Sequence, residues 1–132
     1  MSTNKKLDVL FIEDNNSVFD SDTKIFDELF NKVDKVKGDQ KALKLIQNNK
    51  YDVIIDDMSV DPVDGTTFMK QIKEMKPELV LVSLILGDYE EKIGDIIEFG
   101  VHAFVLTPEQ FEPALEAISK LDTSPKPEKK LP

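Results

Sequence analysis

The stretch YDVIIDDMSVDPVDG, Tyr51 to Gly65, carries an apolar run into two adjacent aspartates and then into a loop with two more carboxylates and a glycine. Val53, Ile54 and Ile55 are β-branched and suit a pleated strand. They leave no polar face, so the strand is expected to be covered on both sides, as in a parallel sheet. Side chains alternate along a strand, which puts Val53, Ile55 and Asp57 on one face and Asp56 on the other. The run therefore predicts a buried strand whose polar end is a pair of aspartates pointing apart.

Outward from this strand, the same unit recurs. DVLFI (Asp8 to Ile12) reads as a strand, followed by Val18, Ile25, Phe26, Leu29 and Phe30 at helical spacing. Lys32 to Val36 is a weaker strand, and QKALKLIQ (Gln40 to Gln47) a helix started by Gly38 and Asp39. After the aspartate loop, TTFMKQIKEM supplies a helix stopped by Pro77. LVLVSLIL, EEKIGDIIEF, HAFVL and PEQFEPALEAISKL complete two more units, the last helix opening on Pro108. Five βα units predict an α/β domain with a parallel sheet between two helical layers. The final stretch, DTSPKPEKKLP (122–132), is rich in proline and lysine and is expected to be a disordered tail or linker stub beyond a domain over 1–121.

Composition removes several functions. A chain of 132 residues with 40% hydrophobic content builds one core. With 17 basic and 26 acidic side chains the formal charge is −9, which argues against direct binding to nucleic acid or anionic lipid. There is no cysteine, hence no disulfide or thiolate metal site, and the start MSTNKK lacks the apolar core of a signal peptide. The apolar run Leu79 to Leu86 is far short of the roughly 20 residues a membrane helix needs. The expectation is a cytoplasmic protein with no membrane contact.

In an open parallel sheet, ligands bind beyond the carboxyl ends of the strands. The first strand ends in Glu13 and Asp14 and the third in Asp57, so three carboxylates are expected to meet there. Close carboxylates repel unless a cation holds them. An oxygen-only donor set with open positions suits Mg²⁺.

With these residues in view, the chain resembles the receiver domains of two-component response regulators over Leu7 to about Leu121. The resemblance rests on the "ED" of FIEDN, on YDVIIDDMSVDPVDG and on GVHAFVLTP. It implies a flavodoxin-like (βα)5 fold with strand order 2-1-3-4-5. The family's phosphoacceptor aspartate precedes the loop glycine by eight positions, and eight before Gly65 is Asp57. Asp56 is then expected to be a solvated or capping carboxylate. By the same resemblance, Asp57 takes a phosphoryl group from a sensor histidine kinase or phosphotransfer protein. Mg²⁺ is held by Glu13, Asp14, Asp57 and the Ser59 main-chain carbonyl, and Phe104 stands where the family has a switch aromatic. The domain is not an enzyme beyond possible self-catalysed phosphorylation and dephosphorylation at Asp57.

The resemblance also exposes departures. The strand-five lysine before proline is replaced in the pair Thr107 and Pro108, whose peptide bond the family pattern implies to be cis. The strand-four hydroxyl, fifteen positions before Gly100, falls on Ile85, with Ser83 as the alternative in a shifted frame. Asp61 replaces the usual loop proline. Each change weakens phosphate binding, since a neutral hydrogen bond is about half as strong as a charged one. Two readings follow: a working phosphoacceptor whose phosphorylation scarcely moves Phe104, or a degenerate receiver that docks proteins independently of phosphorylation. Cognate kinase, downstream partner and oligomeric state are not encoded in any motif.

Other motifs fail on spacing. An EF-hand loop from Asp57 would need glycine at Pro62 and glutamate at Phe68. An aspartate-nucleophile phosphatase would need a second aspartate at Ser59. Asn15-Asn16-Ser17 matches a glycosylation sequon without a secretory signal, and His102 has no second histidine or cysteine to share a metal and reads as a surface residue.

Overall fold

The computed structural model describes residues 6–13, 24–57, 62–87 and 100–121, with backbone alone for 62–66. Five parallel strands are present: β1 Asp8–Glu13, β2 Lys32–Lys37, β3 Val53–Asp57, β4 Val80–Leu86 and β5 His102–Leu106. Their order across the sheet is β2-β1-β3-β4-β5. The described helices are α1 Ile25–Leu29, α2 Asp39–Asn48, α3 Pro62–Met75 and α4 Phe111–Ser119. This is the expected doubly wound architecture. The helix predicted at EEKIGDIIEF, the tail 122–132 and the sequon at Asn15 lie outside the described residues.

Two apolar layers sandwich the sheet. On one side Val9, Phe11, Val53, Ile55, Val82 and Leu84 meet Phe26 of α1 and Phe111, Leu115 and Ile118 of α4. Phe11 lies 5.3 Å from Phe26 and 6.2 Å from Phe111 between ring centroids, and all three rings are tilted against one another. On the other side Leu10, Ile12, Ile54, Leu81 and Ile85 meet Ala42 and Ile46 of α2 and Phe68, Met69 and Ile72 of α3. β3 is buried along its whole length, as its unbroken apolar run requires.

Local chemistry sets the element ends. Gly38 begins α2 at φ 97°, a conformation that a side chain would strain. The last turn of α2 is tied to the residue after α3, where the Lys76 ammonium donates to the Ile46 carbonyl at 3.1 Å. The amino end of β1 is fixed by the Asp8 N–H donating to the Asp52 carboxylate at 2.8 Å and by Asn31 donating to the Asp8 carboxylate at 2.7 Å.

α3 begins at Pro62, four residues before the expected Thr66, because proline is well suited to the first position of a helix. The last helix departs more. Instead of one helix from Pro108, a 3₁₀ turn over Pro108–Gln110 precedes α4 at Phe111. A continuous α-helix would ask residue 113 to donate to the carbonyl of residue 109, and Pro113 has no N–H to give.

Candidate phosphoacceptor site

Ile12 of β1 lies opposite Asp56 of β3. The next residue on each strand, Glu13 and Asp57, therefore stand level at the carboxyl edge of the sheet. Alternation from Phe11 and Ile55 turns both toward the phenylalanine-rich side. Neighbouring strands are about 4.8 Å apart, so two carboxylates at one level repel each other when ionised. Asp57 is only 4% exposed. Such a pair fits a hard cation bound through oxygen. Among the described residues no group of three potential ligands occurs. Asp14 and Ser59, expected to complete the set, lie outside the described residues, as does Asp61.

Asp56 corrects an expectation. It is not solvated, because it is 5% exposed and sits between Ile12 and Ser83 on the adjoining strands. Its face is that of Ile54, so the α2 and α3 layer closes over it. The two aspartates thus point to opposite sides of β3, as the alternation predicts, but both are buried.

β4 presents a further difference. Leu84 is level with Asp57 and Ser83 with Asp56. Ile85 is fully buried in the α2 and α3 layer, and Ser83, fully buried as well, shares its parity. Neither faces the side of Asp57. The β4 residue that does, just past its level, is Leu86, half-buried against the phenylalanine-rich layer. Counting back from Gly100 missed Leu86 because an interval through a helix carries no strand register. The outcome for chemistry is the same: β4 ends on that side without a hydroxyl.

β5 places Phe104 opposite Leu84, half-buried against the phenylalanine-rich layer, while Val105 is 38% exposed on the other side. Thr107 follows β5 and is exposed. The expected cis bond between Thr107 and Pro108 is absent; no cis peptide occurs among the described residues. Thr107 is extended at φ −96° and ψ 166° and is the residue before the 3₁₀ turn, with proline at the first position of that turn. A trans bond leads straight into this arrangement. The Thr107 N–H donates to the Gln110 side-chain carbonyl at 2.9 Å, and the Gln110 N–H donates to the Thr107 carbonyl at 2.9 Å. Where the resemblance asks for an ammonium, the chain has a locally closed turn bearing a neutral hydroxyl. His102 is exposed.

Comparison with known proteins agrees with this geometry. The chain is 29% identical over 108 residues to the hydrogenase transcriptional regulatory protein HoxA of Cupriavidus necator, covering 80% of this chain and 22% of that protein. It is 24% identical over 91 residues to the chemotaxis protein CheY of Bacillus subtilis, covering 69% of this chain and 76% of CheY. The receiver domain of NtrC4 from Aquifex aeolicus superposes with a TM-score of 0.64 at 26% identity, over 83% of this chain and 93% of that one. NtrX from Brucella abortus superposes with a TM-score of 0.67 at 17% identity, over 86% of this chain and 26% of that one. The chain thus spans about a fifth of HoxA and a quarter of NtrX. The response regulator receiver domain model matches residues 9–119. Fold, strand order and match together make the chain a member of the response regulator receiver domains of two-component systems.

Proposed function

We propose that this receiver accepts a phosphoryl group on Asp57 from a phosphohistidine of a sensor histidine kinase or phosphotransfer protein. The observation that carries the proposal is the placement of Asp57, buried at the carboxyl end of the central strand with Glu13 level beside it. An Asp57 carboxylate oxygen attacks phosphorus in line. The P–O bond forms as the P–N bond to imidazole breaks, and the nitrogen keeps the electron pair and takes up a proton. The product is an acyl phosphate that water can hydrolyse. Glu13, Asp14 and the Ser59 carbonyl would hold Mg²⁺ beside Asp57, supplying charge neutralisation of the phosphoryl oxygens. Asp57 is the nucleophile, Glu13 a cation holder, and the apolar wall of Leu84 and Leu86 limits water at the site.

A specific observation favours a second reading, a degenerate receiver that binds its target without phosphorylation. Leu86 and Thr107 offer the phosphoryl group no charge and at most one neutral hydrogen bond. The two separate by mass measurement after incubation with Mg²⁺ and phosphoramidate. Gain of one phosphoryl group, absent in Asp57→Asn, supports the phosphoacceptor. Mg²⁺ binding with no gain supports the degenerate reading. No described helix is long and apolar enough to cross a membrane.

A further inference from the structure

β2 is an edge strand, and among the described residues no strand pairs with its outer side. A groove of about 600 Å³ runs along that edge, with Lys24, Phe26 and Asp27 on one bank, Leu45 and Asn49 on the other, and Val33, Asp34 and Lys35 at its base. The banks come from α1 and the residue before it on one face of the sheet and from α2 on the opposite face, so the groove wraps the unpaired edge.

Charge sets this edge apart. Residues 24–50 hold seven lysines and four carboxylates, in a chain whose formal charge is −9. All seven lysines are exposed. Asp34, the one carboxylate in β2, is engaged: Tyr51 donates to it at 2.7 Å and Lys32 lies 3.6 Å away. Lys35 lies 4.9 Å from the Phe26 ring centroid, which holds its ammonium over the groove.

We infer that the β2 edge is a docking site for an acidic partner segment that adds as an extended strand, with apolar side chains on one face of the sheet beside Val33 and carboxylates toward the lysines on the other. Main-chain hydrogen bonds along an edge strand give affinity, and pockets for alternate side chains give specificity. The groove lining balances Lys24 and Lys35 with Asp27 and Asp34, and charge selection comes from β2 itself, whose three lysines outnumber its one aspartate. A second copy of β2, paired antiparallel so that Asp34 meets Lys35, brings Lys32 opposite Lys37 at both ends, and like charges directly opposite destabilise a pair. The tail DTSPKPEKKLP has three lysines against two acids and three prolines, so it matches neither the charge nor the hydrogen bonding of an added strand. The lysines that keep copies apart therefore admit an acidic strand.

The test is an amide NMR titration of the full chain with a capped peptide of alternating valine and glutamate, and with its valine and lysine counterpart. The glutamate peptide is expected to shift β2 amides and their α1 and α2 neighbours, and the lysine peptide to shift none. Affinity is expected to fall about tenfold in the triple variant Lys32→Glu, Lys35→Glu, Lys37→Glu, and to fall again in wild type at about 1 M salt. Lys120→Glu, outside the groove, keeps wild-type affinity. The inference is overturned by an absence of β2 shifts with the glutamate peptide, by equal binding of both peptides, or by β2 shifts in the free protein that track its own concentration, which would mark a second copy as the occupant.

Discussion

The two layers beside the sheet are built differently. The α1 and α4 side is a cluster of tilted phenylalanine rings around Phe11, and it ends at the carboxyl edge in Glu13 and Asp57. The α2 and α3 side is mostly aliphatic, with Tyr51 and Phe68 its aromatic members, and near the same edge it buries a polar pair, Asp56 and Ser83, at one level. One residue along β3 thus separates a carboxylate on the phenylalanine-rich side from one on the α2 and α3 side, both of them buried. Period-2 alternation makes this an all-or-none difference: a one-residue slip would exchange the roles. On the proposed function, identical side chains with similar burial take different chemistry by the face they occupy.

The strongest way to break this comparison is to neutralise each aspartate in turn. Asp57→Asn is expected to abolish phosphoryl uptake from phosphoramidate, while Asp56→Asn keeps it, both read by intact mass. Uptake that survives Asp57→Asn and disappears in Asp56→Asn would invert the assignment.

Packing gives the next largest effect. Phe11→Ala, which removes the central ring of the aromatic layer, is expected to cost about 3–5 kcal/mol in denaturant unfolding. Ile54→Val, on the aliphatic side, is expected to cost about 0.5–1.5 kcal/mol.

Restoring the two phosphate contacts sharpens the comparison further. Leu86→Thr with Thr107→Lys adds a hydroxyl on the side of Asp57 and an ammonium just past the carboxyl end of β5. A hydrogen bond to a charged group is worth roughly 1.5–3 kcal/mol, and a ligand moves a conformational equilibrium by its differential affinity. Beryllofluoride is expected to shift wild-type amides only around Asp57, and to reach Phe104 in the double variant. Ile85→Thr with Thr107→Lys is expected to spread the shifts less, because its new hydroxyl lies under the α2 and α3 layer.

Smaller effects test the polar groups away from Asp57. The fully buried Ser83 hydroxyl has no hydrogen-bond partner among the described residues. Ser83→Ala is expected to raise stability by about 1 kcal/mol, and a lowered unfolding midpoint would show the hydroxyl to be satisfied in solution. At the β2 edge, burial and then the neighbouring Asp34 carboxylate push the Tyr51 hydroxyl above its usual range. A group whose folded pKa is raised adds stability below its unfolded pKa of about 10 and loses it as pH rises beyond that. Unfolding midpoints are therefore expected to fall above about pH 10, and less steeply in Tyr51→Phe.

What could be read from the sequence was periodic or local. β-branched runs alternating with helical spacing sufficed for five βα units, since each unit's burial pattern is written in its own residues. The interval from Gly65 to Asp57 and the parity of Asp56 against Asp57 were legible for the same reason: both lie within one short stretch of chain. Strand order followed from resemblance, and the structure shows it. Tertiary structure alone decided what depends on two strands meeting. Whether Asp56 is wet or sealed depends on α2 and α3, which are distant in sequence, and whether Ile85 or Leu86 faces Asp57 depends on the β3 to β4 register. Register and coverage are contacts between separated residues, and separated residues leave no periodic trace in a single sequence.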